Sequence, residues 1–136
     1  METNIKELIL KAYKAREKSF CPYSNFAVGA ALLCEDGSIY TGCNIENQSF
    51  SLTLCAERVA FSKAVSDGKR DFLAISICGG KENNTDFCPP CGACLQFMRE
   101  FCPDDFKIIL TKDINSDEVN IFDLGDLIPL KFDNLK

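Results

Sequence analysis

The apolar run from Phe26 to Cys34 constrains the fold more than any other feature of this sequence. It lacks the alternating polar residues of a strand with one face in water, so a strand here must be covered on both faces. Leu73 to Cys78 has the same character. Strands of this kind need helices on each side of their sheet. The sequence therefore predicts a three-layer α/β/α sandwich.

The other segments predict one mixed five-stranded sheet in the order α-β-β-α-β-α-β-β. Apolar residues at helical spacing predict helices over Thr3 to Lys18, about Cys55 to Ser66, and a segment that begins at Pro90. An Asp-Gly turn predicts a hairpin between the first two strands. The polar segment from Gly79 to Phe87 is expected to be a loop. The remaining predicted strands are Ile39 to Asn44, Lys107 to Thr111 and Glu118 to Phe122. We expect residues 1–136 to form a single domain.

Composition limits the class of protein. The chain has 136 residues, 46% of them hydrophobic and 26% charged, which is a soluble globular profile. A net charge of −5 argues against a nucleic-acid partner. We see no signal peptide and no apolar run long enough to cross a membrane, so we expect a cytoplasmic protein. The nine cysteines are then expected to be reduced.

Two short segments carry the chemistry, Cys55-Ala56-Glu57-Arg58 and Pro90-Cys91-Gly92-Ala93-Cys94. Each opens a predicted helix, where backbone N–H groups and the helix dipole favour thiolate. Three thiolates can hold a tetrahedral Zn²⁺ and leave its fourth position for water. Glu57 could then carry protons to and from that water. The pattern indicates a catalytic zinc site.

Other interpretations of the cysteines stay open at this point. The chain has no histidine, which excludes His-based nucleophilic catalysis and His-ligated metals. A structural zinc site usually has two Cys-x-x-Cys pairs, and Cys55 has no cysteine three residues away. Cys43, Cys78, Cys88 and Cys102 are possible fourth ligands for a structural zinc, and a site without metal is the third possibility.

Four motifs in order and spacing make the sequence similar to the small homotetrameric zinc-dependent cytidine deaminases. Cys55-Ala56-Glu57 with Pro90-Cys91-x-x-Cys94 matches the zinc deaminase signature, with cysteine in place of its usual histidine. The other motifs are Tyr23-Ser24-Asn25-Phe26-Ala27-Val28-Gly29-Ala30-Ala31-Leu32 and Gly42-Cys43-Asn44-Ile45-Glu46-Asn47. The resemblance covers nearly the whole chain.

This resemblance implies hydrolysis of cytidine or deoxycytidine to the uridine product and ammonia, in pyrimidine salvage. Cys55, Cys91 and Cys94 would hold one Zn²⁺ per chain, which activates water for attack on C4 of the ring. Glu57 would make every proton transfer, and the N–H of Ala56 would bind the base carbonyl.

The resemblance also implies residues that bind substrate. Phe26 would lie against the base, and Asn44 and Glu46 would hydrogen-bond the ribose. Phe132, in Leu127-Ile128-Pro129-Leu130-Lys131-Phe132, would close over the base of a neighbouring subunit, so a homotetramer would complete its sites across subunits. Separately, three thiolates outweigh the charge of Zn²⁺, and we expect Arg58 to offset this by hydrogen-bonding a ligand sulfur; the alternative is an arginine on the solvent-facing side of its helix.

Two departures and three alternatives accompany the resemblance. Leu95 stands where the family usually has arginine, and Phe50 where tyrosine is common, which affects affinity and sugar preference. A related zinc deaminase could act on a nucleoside antibiotic or another aminated pyrimidine. A deaminase acting on polynucleotides is disfavoured by the negative charge, and a zinc-stabilised binding module without activity is the last alternative.

Overall fold

The structure, a computed structural model, describes residues 2–132. The predicted domain also includes residue 1 and residues 133–136, which lie outside the described residues. The strands are β1 (Phe26–Cys34), β2 (Ile39–Cys43), β3 (Phe72–Lys81), β4 (Asn84–Asp86), β5 (Lys107–Thr111) and β6 (Val119–Asp123). The helices are α1 (Glu2–Arg16), α2 (Ala56–Ser66), α3 (Gly92–Phe101) and α4 (Leu124–Leu127), with a 3-10 turn at Phe50–Leu52.

The strands form one mixed sheet in the order β2-β1-β3-β5-β6. β3 and β5 pair in parallel, with Ser76 opposite Ile109, whereas β1 pairs antiparallel with both β2 and β3. A parallel pair needs a crossover between its strands, and here α3 lies in that crossover. The predicted α/β class and mixed sheet are confirmed.

Two local predictions were wrong. The sheet has six strands, not five, because β3 runs on to Lys81 and turns through Glu82, at φ 53, into the short strand β4. The segment was predicted as a loop because its side chains are polar. Helix α3 begins at Gly92 and not at Pro90, because Cys91 has extended backbone, at φ −73 and ψ 168, and takes the N-cap position.

Alternate residues of the buried strands supply two separate cores, one on each face of the sheet. Ala30, Leu32 and Cys34 of β1 pack with α2, α3 and α4. Ala31 and Leu33 pack with α1, through Leu8 and Ala12 among others. The period of two along a wholly apolar strand thus gives the three layers.

Glycine lets one helix lie unusually close to the sheet. A Cβ on Gly42 in β2 would lie 2.4 Å from the carbonyl oxygen of Ala56 and 2.7 Å from the backbone nitrogen of Ala60. The first turns of α2 therefore rest directly on the backbone of β2. This contact fixes the start of α2 beside the loop that follows β2.

Candidate active site

Three thiols meet at the starts of two helices on one face of the sheet. Cys55 is the N-cap residue of α2 and Cys91 is the N-cap residue of α3, and Cys94 lies in the first turn of α3. The three Sγ atoms all lie within 4.8 Å of one another. Cys94 is buried, Cys55 is half-buried and Cys91 is exposed, so the cluster opens toward solvent on one side.

Hydrogen bonds among the thiols and Arg58 shift the pKa values of the thiols. A hydrogen bond from Cys94, helped by Arg58, lowers the pKa of Cys55 to about 5, and the same bond raises the pKa of Cys94. The guanidinium of Arg58 donates from Nη2 to the Cys55 sulfur over 3.6 Å and to the carbonyl oxygen of Thr53 over 3.2 Å. At least one thiolate is therefore favoured at neutral pH, which is the form that binds metals.

The cluster fits a zinc ion. Tetrahedral Zn–S bonds of ~2.3 Å place sulfurs roughly 3.8 Å apart, within the spacing that the three thiols have here. Three soft ligands leave one tetrahedral position open. A cation at this point would also hold the three thiols as thiolates, without the shared proton between Cys55 and Cys94.

Glu57 is an acidic side chain that interacts directly with the thiols, through Cys94. It lies in the first turn of α2 and is only 5% exposed. Burial raises the pKa of its carboxyl to about 7, and a hydrogen bond with the Cys94 thiol acts in the opposite direction. A carboxyl with this pKa can both accept and donate a proton near neutral pH.

The ring of Phe26 and the thiol of Cys88 lie side by side over Gly79 of β3. A Cβ on Gly79 would lie 2.8 Å from Cys88 Sγ and 3.0 Å from Phe26 Cε1, so the missing side chain makes room for both. Burial, and after it the charges of Glu57, Cys55 and Cys91, raises the pKa of Cys88 to about 11. Phe26, 38% exposed, thus reaches the neighbourhood of the thiols through Cys88.

Asn44 and Glu46 follow β2, at the same end of the sheet as the start of β1. The buried amide of Asn44 accepts from the N–H of Val28 over 2.9 Å and donates to the carbonyl of Phe26 over 2.8 Å. Oε1 of Glu46 accepts from the N–H of Tyr23 over 2.9 Å and from that of Ser24 over 3.1 Å. Both side chains therefore fix the entry into β1, which carries Phe26.

Phe132 contacts α3 through its backbone. Its carbonyl oxygen accepts from Nε2 of Gln96 over 3.0 Å, while its side chain is 69% exposed. Ala56, by contrast, is the first residue of α2, and its N–H is one of the N–H groups that a helix start leaves free for other partners.

Sequence reasoning missed two neighbours of the site. Ser24 lowers the pKa of Glu46 by donating its hydroxyl hydrogen bond to the carboxylate. A small polar residue ahead of a strand gave no signal of that partner. The sequence indicates Cys88 only as a possible fourth ligand of a structural zinc, and only the fold places it beside Phe26 over Gly79.

The fold and the cluster together define a class: an α/β protein with a three-thiol zinc centre next to a buried carboxyl, the arrangement of a zinc-dependent hydrolytic deaminase. The chain belongs to the family described as "Cytidine and deoxycytidylate deaminase zinc-binding region", whose sequence model matches residues 2–110. In that family zinc is the resident metal, in agreement with the three thiols.

Individual relatives agree with this family. A cytidine deaminase of Sporosarcina psychrophila is 52% identical over 108 residues, which are 79% of this chain and 77% of the relative. The crystal structure of a cytidine deaminase from Burkholderia pseudomallei superposes with a TM-score of 0.82 at 42% identity, covering 93% of this chain and 97% of the other. A blasticidin-S deaminase of Bacillus cereus is 32% identical over 110 residues, 77% of this chain and 76% of the relative.

None of the helices within residues 2–132 is both long enough and apolar enough to cross a membrane.

Proposed function

We propose that this chain catalyses the zinc-dependent hydrolytic deamination of cytidine and 2′-deoxycytidine to uridine and 2′-deoxyuridine, with release of ammonia. The observation that carries the proposal is the meeting of Cys55, Cys91 and Cys94 beside the buried carboxyl of Glu57. The similarity to cytidine deaminases over more than three quarters of the chain supports the nucleoside as substrate.

In this proposal Cys55, Cys91 and Cys94 hold the metal. The bound zinc supplies a Lewis acid that lowers the pKa of water at its open position. Glu57 takes a proton from the attacking water and passes it to N3 of the ring. It then takes the proton of the C4 hydroxyl formed by the attack and passes it to the amine, which departs as ammonia. Its burial suits this task, because burial raises the pKa of the carboxyl to about 7, where it can both accept and donate a proton near neutral pH. Arg58 draws charge from the Cys55 sulfur and so maintains the acidity that three thiolates would otherwise reduce.

The remaining residues position the nucleoside. The free N–H of Ala56 binds the base carbonyl, and Phe26 lies against the ring. Asn44 and Glu46 bind the ribose hydroxyls with the hydrogen-bonding capacity that they do not use to hold β1: Asn44 keeps one amide hydrogen, and Glu46 keeps carboxylate lone pairs. Asn44 and Glu46 thus have two roles in the proposal: each fixes the backbone at the start of β1, and each binds the substrate.

We further propose that the chain works in the cytoplasm as a homotetramer whose active sites are completed across subunits by Phe132. The exposed apolar side chains near the loop after β2 support an interface between copies. They include Phe50, 75% exposed, and also Phe20, Ile45, Leu52 and Leu54. Bridges join Phe20 to Ile45 and Ile45 to Leu54, and exposed apolar side chains grouped in this way are typical of a subunit contact.

The direct test follows ultraviolet absorbance with cytidine, deoxycytidine, cytosine and deoxycytidylate in parallel. We expect turnover of the two nucleosides and little with the free base, because Asn44 and Glu46 have no ribose to bind in cytosine. Blasticidin S belongs in the same series because of the Bacillus cereus relative. Turnover of blasticidin S alone would replace the cytidine proposal with the antibiotic one, and turnover of no substrate would favour a zinc-stabilised binding module.

Glu57→Gln tests the proton transfers. It keeps the size and burial of the side chain, so the fold and the zinc content should stay normal. The rate constant kcat should fall by about 10²–10⁴-fold or more, the contribution of a positioned acid–base group. Near-normal kcat with normal zinc content would remove Glu57 from the mechanism.

A further inference from the structure

The segment Leu130 to Phe132 is attached to the fold by the side chain of Lys131 and the backbone of Phe132. The side chains of Leu130 and Phe132 project into solvent. Nζ of Lys131 lies 3.1 Å from Oδ1 of Asp104, and the carbonyl oxygen of Phe132 accepts from Gln96 over 3.0 Å. Leu130 is 90% exposed and Phe132 is 69% exposed. The anchored Lys131 therefore lies between two side chains that project into solvent, those of Leu130 and Phe132.

The anchor itself is rigid because Asp104 is held from two other directions. Its carboxylate accepts from the buried guanidinium of Arg99 in α3. Its backbone carbonyl accepts from the N–H of Gly125 in α4 over 2.9 Å. A Cβ on Gly125 would lie 3.1 Å from Cβ of Asp104, so glycine allows α4 to close over this residue.

Both attachment points of the segment trace back to α3. Gln96 lies two residues past Cys94, with Leu95 between them, and Arg99 lies about one turn further along the same helix. The helix that brings Cys91 and Cys94 to the thiol cluster therefore also fixes where Phe132 is presented. A large apolar side chain that is anchored and yet turned away from its own chain fits insertion into a second copy.

We propose that Gln96 and Lys131 are positioning residues, which hold the outward-facing Phe132 in place to complete the base pocket of a second copy of this chain. This inference rests on the proposed function, specifically on the role given there to Phe132. Neither residue contacts the substrate in the proposal. Their effect passes entirely through Phe132, and this makes the inference testable by combining substitutions.

The test measures kcat and KM for cytidine in the full-length, zinc-loaded enzyme. Lys131→Met and Gln96→Leu each remove one attachment and keep a side chain of similar size. We expect each to raise KM about threefold with little change in kcat, as for loss of one exposed hydrogen bond or ion pair. Lys131→Arg keeps the charge and should restore KM. Lys107→Met is the matched control, because the Lys107–Asp123 pair is similarly exposed and lies at β5 and β6.

The decisive measurement is the same pair of substitutions in a Phe132→Ala background. With the aromatic ring absent, its position has no consequence, so neither substitution should raise KM further. A rise of about threefold in that background would overturn the inference, because it would show that the tethers act elsewhere. If Phe132→Ala raises KM but Lys131→Met and Gln96→Leu leave KM unchanged in the native background, the inference alone fails. If Phe132→Ala leaves KM unchanged, both the proposed role of Phe132 and this inference fail.

Discussion

Gly42→Ala should be among the most damaging single-methyl additions in this chain. The new Cβ would lie 2.4 Å from the carbonyl oxygen of Ala56 and 2.7 Å from the backbone nitrogen of Ala60. These are backbone atoms of a helix and cannot rotate away, so α2 must move from β2 by about 1 Å to reach ordinary van der Waals contact. Overpacking typically costs about 1–3 kcal/mol, and a backbone clash belongs at the upper end of that range. We expect a loss of about 3 kcal/mol.

Urea denaturation followed by circular dichroism measures this loss, with zinc present at a fixed excess. The matched control is Gly92→Ala, because a Cβ on Gly92, the first residue of α3, would have no heavy atom within 4 Å. That substitution should stabilise the fold by about 0.5 kcal/mol, since alanine restricts the unfolded chain. If both substitutions change the free energy of unfolding by the same amount, the close packing of α2 on β2 does not determine stability.

Gly42→Ala should also raise KM for cytidine, since α2 carries Glu57 and the loop after β2 carries Asn44 and Glu46. An unchanged KM in a destabilised variant would show that the helix and the loop move together.

Two other outcomes follow from the site. Removal of zinc by a chelator should lower the midpoint of thermal unfolding, and added zinc should restore it, because a ligand of the native state stabilises that state. Cys91→Ala should make the midpoint insensitive to zinc and should reduce the bound zinc found by metal analysis. Ser24→Ala should raise the pKa of Glu46, because the Ser24 hydroxyl holds it below its ordinary value, so the carboxylate protonates at a higher pH on acidification. A carbon-13 titration of Glu46 checks this shift, and an unchanged midpoint would contradict the assignment of Ser24 as its cause.

The layers of the fold and the thiol cluster could be predicted because each depends on a strong local pattern. The uninterrupted apolar run of β1 predicts cover on both faces, and its alternate residues do divide between two cores. Cys55 and Cys91 were expected at helix starts, and each is the N-cap residue of its helix. These patterns are short in sequence and need no knowledge of distant partners.

The missed features depend on partners far away along the chain. β4 consists of Asn84, Thr85 and Asp86, of which Asn84 and Asp86 disfavour a strand, and its pairing is imposed by the long strand β3. Phe26 and Cys88 both lie over Gly79 because glycine leaves room for them there. The hydrogen bond from Gln96 is accepted by the backbone carbonyl of Phe132. Every residue has such a carbonyl, so the sequence does not indicate which one is used.

The position of β3 has a consequence for synthesis of the chain on the ribosome. The order β2-β1-β3 can form from the first part of the chain as an antiparallel unit, but β5 reaches the free side of β3 only after α3 has been made. Until then β3, which is almost wholly buried in the finished fold, is an open and apolar edge on the nascent protein. Cys91 and Cys94 lie in the crossover that leads to β5. Translation of β5 therefore ends the period in which the chain is most exposed to aggregation, and the last two thiols of the cluster emerge shortly before it.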